Sequence, residues 1–173
     1  MDEKIKRICV DEFNELFDTK MQAMATQKDI EELQSKLDDV TSQPQSEVAY
    51  FTATPKSSFG TSGQPIPFPI IVNENNSGFD GSTGVMTTKI KGLYHFSASI
   101  MADSSHNIHA HLMHNDNQIH RVHESASGHN MLSFTATLPL EIGDRVFLRL
   151  SSGTVYSDSA HYGVFTGVRI SDV

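Results

Sequence analysis

The 173-residue chain has a single cysteine, Cys9, and no tryptophan. One thiol excludes an internal disulfide framework and any Cys-rich zinc module. No run of eighteen apolar residues occurs, so the sequence holds no helical membrane span. Positive charge is scarce: 13 Lys+Arg stand against 21 Asp+Glu, a formal charge of −8. Arg121, Arg145, Arg149 and Arg169 are scattered along the second half. That excludes the clustered basic surface that nucleic acid requires. There is no GxSxG elbow, no P-loop and no GxGxxG after a strand, so no enzyme signature is present. The opening MDEKIKRICVDEF scatters charges where a secretory signal has an apolar run, so it does not read as a leader.

Glycine is absent from residues 1–46, and all eleven glycines fall after them. Residues 1–46 are charge-dense and read as helix, whereas the remainder, rich in Gly and Pro, reads as strands and turns. The chain is therefore expected to divide into a helical segment over 1–40, a polar linker over 41–46 (Thr-Ser-Gln-Pro-Gln-Ser), and a β domain over 47–173. In the helix, Ile30, Leu33, Leu37 and Val40 recur at the 3-4-3 spacing of a coiled-coil seam. Val10, Phe13, Phe17 and Met24 form an upstream stripe that slips out of register around 25–28. The narrow apolar stripe with charged flanks favours an oligomerising coil over a helix packed on its own domain. Cys9 lies in this helix and has two readings: a small buried hydrophobe, or an interchain disulfide in an oxidising compartment.

Beyond the linker, strands are expected near 48–53, 70–73, 85–90, 92–101, 107–114, 118–124, 130–139, 145–151 and 162–170, with Gly, Asn, Asp and Ser turns between them. Short strands at this spacing define an all-β sandwich or barrel. Tyr94, Phe96, Ala98 and Ile100 share one face of their strand, and Leu132, Phe134, Ala136 and Leu138 one face of theirs, which makes a two-layer core.

Several blocks then resemble, in order, the globular head of complement C1q, a relative of tumour-necrosis-factor jelly rolls. They are Val48-Ala49-Tyr50-Phe51, Ile71-Val72-Asn73, Gly78-Phe79-Asp80, Gly92-Leu93-Tyr94-His95-Phe96, Gly143-Asp144-Arg145-Val146 and Phe165-Thr166-Gly167-Val168-Arg169-Ile170. Met86, Glu74 and Ala98 depart from the family pattern at core or turn positions. The resemblance implies a ten-strand jelly-roll sandwich that assembles as a homotrimer. With a short coiled coil in place of a collagen stalk, it is similar to C1q-domain proteins abundant in invertebrates, molluscs above all. It implies a secreted, lectin-like molecule of innate immunity that binds microbial polysaccharide or lipopolysaccharide. It also implies Ca²⁺ at loop carboxylates, for which Asp103, Asp116 and Asp158 are the candidates. A cytokine-like ligand of a protein receptor is the alternative within the same resemblance.

Nine histidines are the composition's excess, and His106, His109, His111, His114, His120 and His123 crowd into eighteen residues. If Asn115–Gln118 is a hairpin turn that pairs Met113 with His120, period-2 alternation places His109, His111, His120 and Glu124 on one outward face. Ile108, Ala110, Leu112 and Ile119 then face the core. Imidazoles and a carboxylate at that separation suit Zn²⁺ or Cu²⁺ and would make a divalent-metal-binding structural protein. A solvated polar face, or a pH-responsive or glycan-contacting one, is the competing reading. Arg145, Phe147 and Arg149 alternate with apolar residues and form an outward strip suited to anionic sugars. Asn75-Asn76-Ser77 is a glycosylation sequon in an expected loop.

Overall fold

The computed structural model describes residues 3–42, 47–125 and 128–173, and within the helix it describes no side chain at 3–9, 25 or 37–42. Contacts divide the chain into two compact units, Met1–Gln45 and Ser46–Val173.

The first unit is one helix, α1 (Glu3–Ser42), about 60 Å long at 1.5 Å per residue. It contains neither Gly nor Pro, and Glu32 and Lys36 pair one turn apart at 2.8 Å. It continues through Thr41 and Ser42, two residues of the expected linker, because the first helix breaker is Pro44. The apolar stripe lies uncovered: Val10, Phe13, Phe17, Met24, Ile30 and Leu33 are all exposed. The Phe13 and Phe17 rings stack with centroids 6.2 Å apart. The side chains of Cys9, Leu37 and Val40, and residues 43–46 of the linker, lie outside the described residues.

The described residues of the second unit form a sandwich of eleven strands: β1 (Tyr50–Thr54), β2 (Ile70–Asn75), β3 (Phe79–Asp80), β4 (Val85–Thr87), β5 (Gly92–Ala102), β6 (Ile108–His114), β7 (Asn117–Glu124), β8 (Met131–Leu140), β9 (Arg145–Ser152), β10 (Val155–Tyr156) and β11 (Gly163–Ser171). One sheet runs β2-β1-β11-β5-β8, and the short β10 pairs with the end of β5 at Met101 and Ala102 on the β11 side, opposite β8; the other sheet runs β3-β4-β9-β6-β7. Chain-distant neighbours such as β1 with β11 and β4 with β9 are the crossovers of a jelly roll. The strands β3 and β10 have two residues each, too short for any alternation to announce them.

Apolar alternation fills the space between the sheets. Tyr94, Phe96, Ala98 and Ile100 of β5 and Leu132 and Phe134 of β8 are buried, as are Ile108, Ala110 and Leu112 of β6. The centre is aromatic: Phe51 stacks on Phe79 at 4.1 Å, and Phe165 meets Phe51 edge-on at 5.0 Å. Gly167 lies opposite both Phe51 and Phe96 in the ladder, where a methyl group would stand 2.5 and 2.7 Å from their ring carbons. The buried Tyr94 hydroxyl donates to the Ile90 carbonyl at 2.7 Å.

The departures from the family pattern fit their places. Met86 is fully buried in the core, and the Glu74 carboxylate accepts from the Ser77 amide and hydroxyl at 2.9 and 2.8 Å, holding the turn. Arg169 is not a surface cation. Its side chain is 3% exposed and ties the carbonyls of Lys91 and Glu47, each at 3.0 Å, to the Asp172 carboxylate.

Candidate ligand-contact sites

The histidine hairpin is β6 and β7 joined at Asn115-Asp116. Asn115 adopts φ 53°, a backbone that asparagine tolerates. Its side chain donates to Asp144 Oδ1 at 2.9 Å and accepts the Arg145 amide at 2.8 Å. His114 Nε2 lies 3.0 Å from the other Asp144 oxygen. The Asn115 hydrogen bond, then the Glu141 amide, hold the Asp144 carboxyl below the ordinary carboxylate range.

Pairing begins with His114↔Asn117 and Met113↔Gln118, but the next pair is Leu112↔His120, so Ile119 is an extra residue in β7. A bulge reverses which residues share a face beyond it. The expected quartet therefore separates. His109 and His111 do face outward, joined there by Arg121 and His123, which sit opposite them. His120 and Glu124 turn to the core side: His120 meets Phe134 edge-on at 5.6 Å, and Glu124 accepts from Asn130 at 3.1 Å. Ile119, expected in the core, is 41% exposed. Among the described residues no cluster of His, Cys, Asp or Glu is arranged to hold a metal ion.

The outward face is compact. The His109 and His123 rings lie 4.3 Å apart. Arg121 Nη2 donates to His109 Nδ1 at 2.7 Å, and Arg149 Nη2 reaches towards His111 Nδ1 at 3.4 Å, where the Ser151 hydroxyl stands at 3.3 Å. His111 is 8% exposed. Burial first, then His123 and Arg121, lower the pKa of His109; burial first, then Arg149, lower that of His111.

The strip expected on β9 is changed by its neighbours. Arg145 is exposed and pairs weakly with Asp116 at 3.7 Å. Phe147 is buried rather than exposed, because Met113 and Val85 flank it across the ladder and the Arg145 guanidinium stands 6.0 Å from its ring centre. Arg149 belongs instead with the histidine face.

The three loop carboxylates do not converge. Asp116 is at the hairpin tip, whereas Asp103 and Asp158 approach a common aromatic group, Tyr156. The Tyr156 hydroxyl donates to Asp158 at 3.1 Å, which with the charge of Asp158 and, last, of Asp103 raises its pKa. The His129 ring lies 4.5 Å from Tyr156, and Tyr162 lies 5.9 Å away on a tilted plane. Asp103 accepts from the Ser105 amide at 2.9 Å and from its hydroxyl, which lower its pKa, with smaller contributions from His129 and His106. The result is an aromatic ledge of His129, Tyr156 and Tyr162, with the Asp158 carboxylate on the Tyr156 hydroxyl and Asp103 close enough to influence Tyr156 and His129. None of these three rings stands out in the sequence. The one available signal is three aromatic or imidazole rings in Gly/Ser-rich loop segments.

Asn75 is not in a loop. It closes β2 opposite Tyr50, and its amide donates to the Val48 carbonyl at 2.7 Å, while Ser77 of the same sequon is buried. His95 contacts the Thr137 hydroxyl at 3.0 Å and His161 the Pro55 carbonyl at 3.2 Å, so both are satisfied within the domain.

Two packed antiparallel sheets joined by long crossovers define a jelly-roll domain. The C1q domain profile matches residues 49–169, and the chain belongs to the C1q domain family. It is 28% identical over 127 residues to complement C1q tumor necrosis factor-related protein 3 of Mus musculus, covering 72% of this chain and 51% of that protein. It is 32% identical over 122 residues to Caprin-2 of Danio rerio, covering 68% of this chain and 13% of that protein. The chain thus spans about half the length, or less, of these relatives. Among solved structures, the globular domain of zebrafish complement 1qA superposes with a TM-score of 0.58 at 21% identity, over 72% of this chain and 99% of the other. Murine APRIL superposes equally well at 14% identity, over 72% and 100%. At such identities these structures show the fold alone.

Proposed function

We propose that the β domain is the head of a secreted, non-enzymatic, lectin-like recognition protein of innate immunity that binds microbial surface polysaccharide on the His129–Tyr156–Tyr162 ledge. The observation that carries this reading is the pairing of aromatic faces with the Asp103 and Asp158 carboxylates. Aromatic faces pack against the C–H faces of a pyranose, and carboxylates accept its hydroxyls. Assembly as a homotrimer is supported by family membership and by the apolar groups that β1 and β11 leave exposed, Tyr50, Val168 and Ile170. A coiled coil of α1 would cover its exposed stripe and cluster the heads. Three linked weak sites gain orders of magnitude in avidity on a repetitive surface, on the order of 10²–10⁴.

Glycan-array binding of the full chain, with and without EDTA, tests both ligand and Ca²⁺ dependence. Binding is expected, with Tyr156→Ala and Tyr162→Ala each weakening it about tenfold, as for loss of about 1–2 kcal/mol of ring contact. Absence of glycan binding, or binding that both variants leave intact, would overturn the assignment. Capture of one protein receptor without glycan binding would replace it with the cytokine-like reading.

A further inference from the structure

The outward face of β6, β7 and β9 has a chemistry of its own. It gathers two guanidiniums, Arg121 and Arg149, three imidazoles, His109, His111 and His123, and the Ser151 hydroxyl. Arg121 and Arg149 have no carboxylate partner among the described residues; the arginine ion pairs there are those of Arg145 and Arg169. Two permanent positive charges repel a divalent cation, and the Nδ1 lone pair of His109 is already accepting from Arg121. The same groups are donors suited to a tetrahedral oxyanion, for which arginine forks are the preferred partners.

We propose that Arg121, Arg149, His109, His111 and His123 form a binding site for sulfate or phosphate ester groups carried on a polysaccharide, and that acid strengthens the binding. The device is in the hydrogen bonds. His109 can accept from Arg121 only while its Nδ1 is unprotonated. A proton there turns acceptor into donor, frees the Arg121 N–H for ligand and adds a charge. His111 stands in the same relation to Arg149.

The groups facing these rings are of one sign. His109 meets Arg121 and His123 from β7 and lies opposite Ser152 of β9; His111 meets Arg149 and Ser151 from β9 and Arg121 from β7. Among the described residues no acidic side chain acts on either ring. Burial and these cations favour the neutral form of both rings, and a bound dianion opposes that preference. By linkage, protons and anion then favour one another.

The test is fluorescence anisotropy of the full chain with a labelled heparin oligosaccharide and a labelled phosphomannan oligosaccharide, at pH 7.5 and 5.5 and fixed ionic strength, with neutral dextran as control. Binding to one or both anionic probes is expected to tighten about tenfold or more at pH 5.5, from uptake of about one proton. The two probes separate sulfate from phosphate as the source. Arg121→Gln/Arg149→Gln is expected to abolish most of the affinity and His109→Gln/His111→Gln the acid gain. A parallel measurement on the unmutated chain removes dependence on variant folding: imidazole NMR signals of His109 and His111 should shift to their protonated positions at a higher pH when heparin oligosaccharide is present. Equal affinity at both pH values, equal binding of dextran, or full binding by the arginine variant would overturn the proposal. Loss of anionic-probe binding in Tyr156→Ala and Tyr162→Ala but not in the arginine variant would move the anion to the ledge and also overturn it. Neutral-glycan binding at the ledge stands or falls separately, because it does not involve these five residues.

Discussion

Gly167→Ala tests the packing of the aromatic core. The added methyl carbon would stand 2.5 Å from Phe51 and 2.7 Å from Phe96, where ordinary contact begins at 3.4 Å, so both rings must withdraw by most of an ångström. Neither has room. Phe51 is clamped between Phe79 at 4.1 Å and Phe165 at 5.0 Å, and Phe96 lies between Tyr94 at 6.1 Å and Phe165 at 6.3 Å. Overpacking of a filled core costs about 1–3 kcal/mol. Restricting the unfolded chain by replacing glycine returns about 0.4–1 kcal/mol. The net expectation is destabilisation by about 1–2 kcal/mol. Urea denaturation followed by tyrosine fluorescence measures it cleanly, since all four tyrosines lie in the β domain and α1 contributes none. Phe96→Leu should partly rescue the variant, with a coupling energy above about 0.5 kcal/mol in a double-mutant cycle. A Gly167→Ala protein as stable as the parent, or additive effects of the two substitutions, would refute the packing argument.

Two other perturbations use the same assay. Arg169→Met should destabilise the domain by about 2–4 kcal/mol, because it strips donors from the Lys91 and Glu47 carbonyls, whereas the exposed Asp172 carboxylate is rehydrated and adds little; a midpoint within error of the parent refutes this. His111 has a lowered folded pKa, so the fold favours its neutral form and the unfolded chain takes up protons first as pH falls below about 6.5. Its contribution is complete above that pH and is lost as pH falls towards the folded value. The parent's urea midpoint should therefore drop more between pH 7 and pH 5 than that of His111→Gln, and parallel drops would refute the assignment.

Much of the fold is legible in the sequence because long strands report their buried face. Tyr94, Phe96, Ala98 and Ile100 alternate over β5, and the structure buries all four. The glycine-free run before Pro44 likewise reads as helix without tertiary help. What escapes is set by single residues or by distant partners. Strands β3 and β10 are too short to carry a period. Phe147 alternates like a surface residue, yet cross-strand Met113 and Val85 bury it. Arg169 reads as one more scattered cation, and only the carbonyls brought to it by Lys91 and Glu47 make it internal. The ledge joins loop residues 103, 129, 156, 158 and 162, whose proximity depends on the crossovers of the jelly roll.

The hairpin shows how little separates a right site from a wrong one. Period-2 alternation applied from a regular turn puts His120 and Glu124 beside His109, and one bulged residue, Ile119, exchanges them for Arg121 and His123. That exchange converts a face with a carboxylate into one with guanidiniums, and so a cation site into an anion site. Two leucine substitutions distinguish these registers. His120→Leu, which faces Phe134 in the bulged register, should change stability by less than about 1.5 kcal/mol, as hydrophobic replacements of similar volume do, and leave heparin binding at pH 5.5 untouched. His123→Leu, which faces His109, should leave stability nearly unchanged and weaken that binding severalfold, because it removes a ring N–H donor from the face. The regular register requires the reverse assignment. If His120→Leu weakened binding and His123→Leu did not, the bulge, and with it the basis for an anion site on this face, would be refuted.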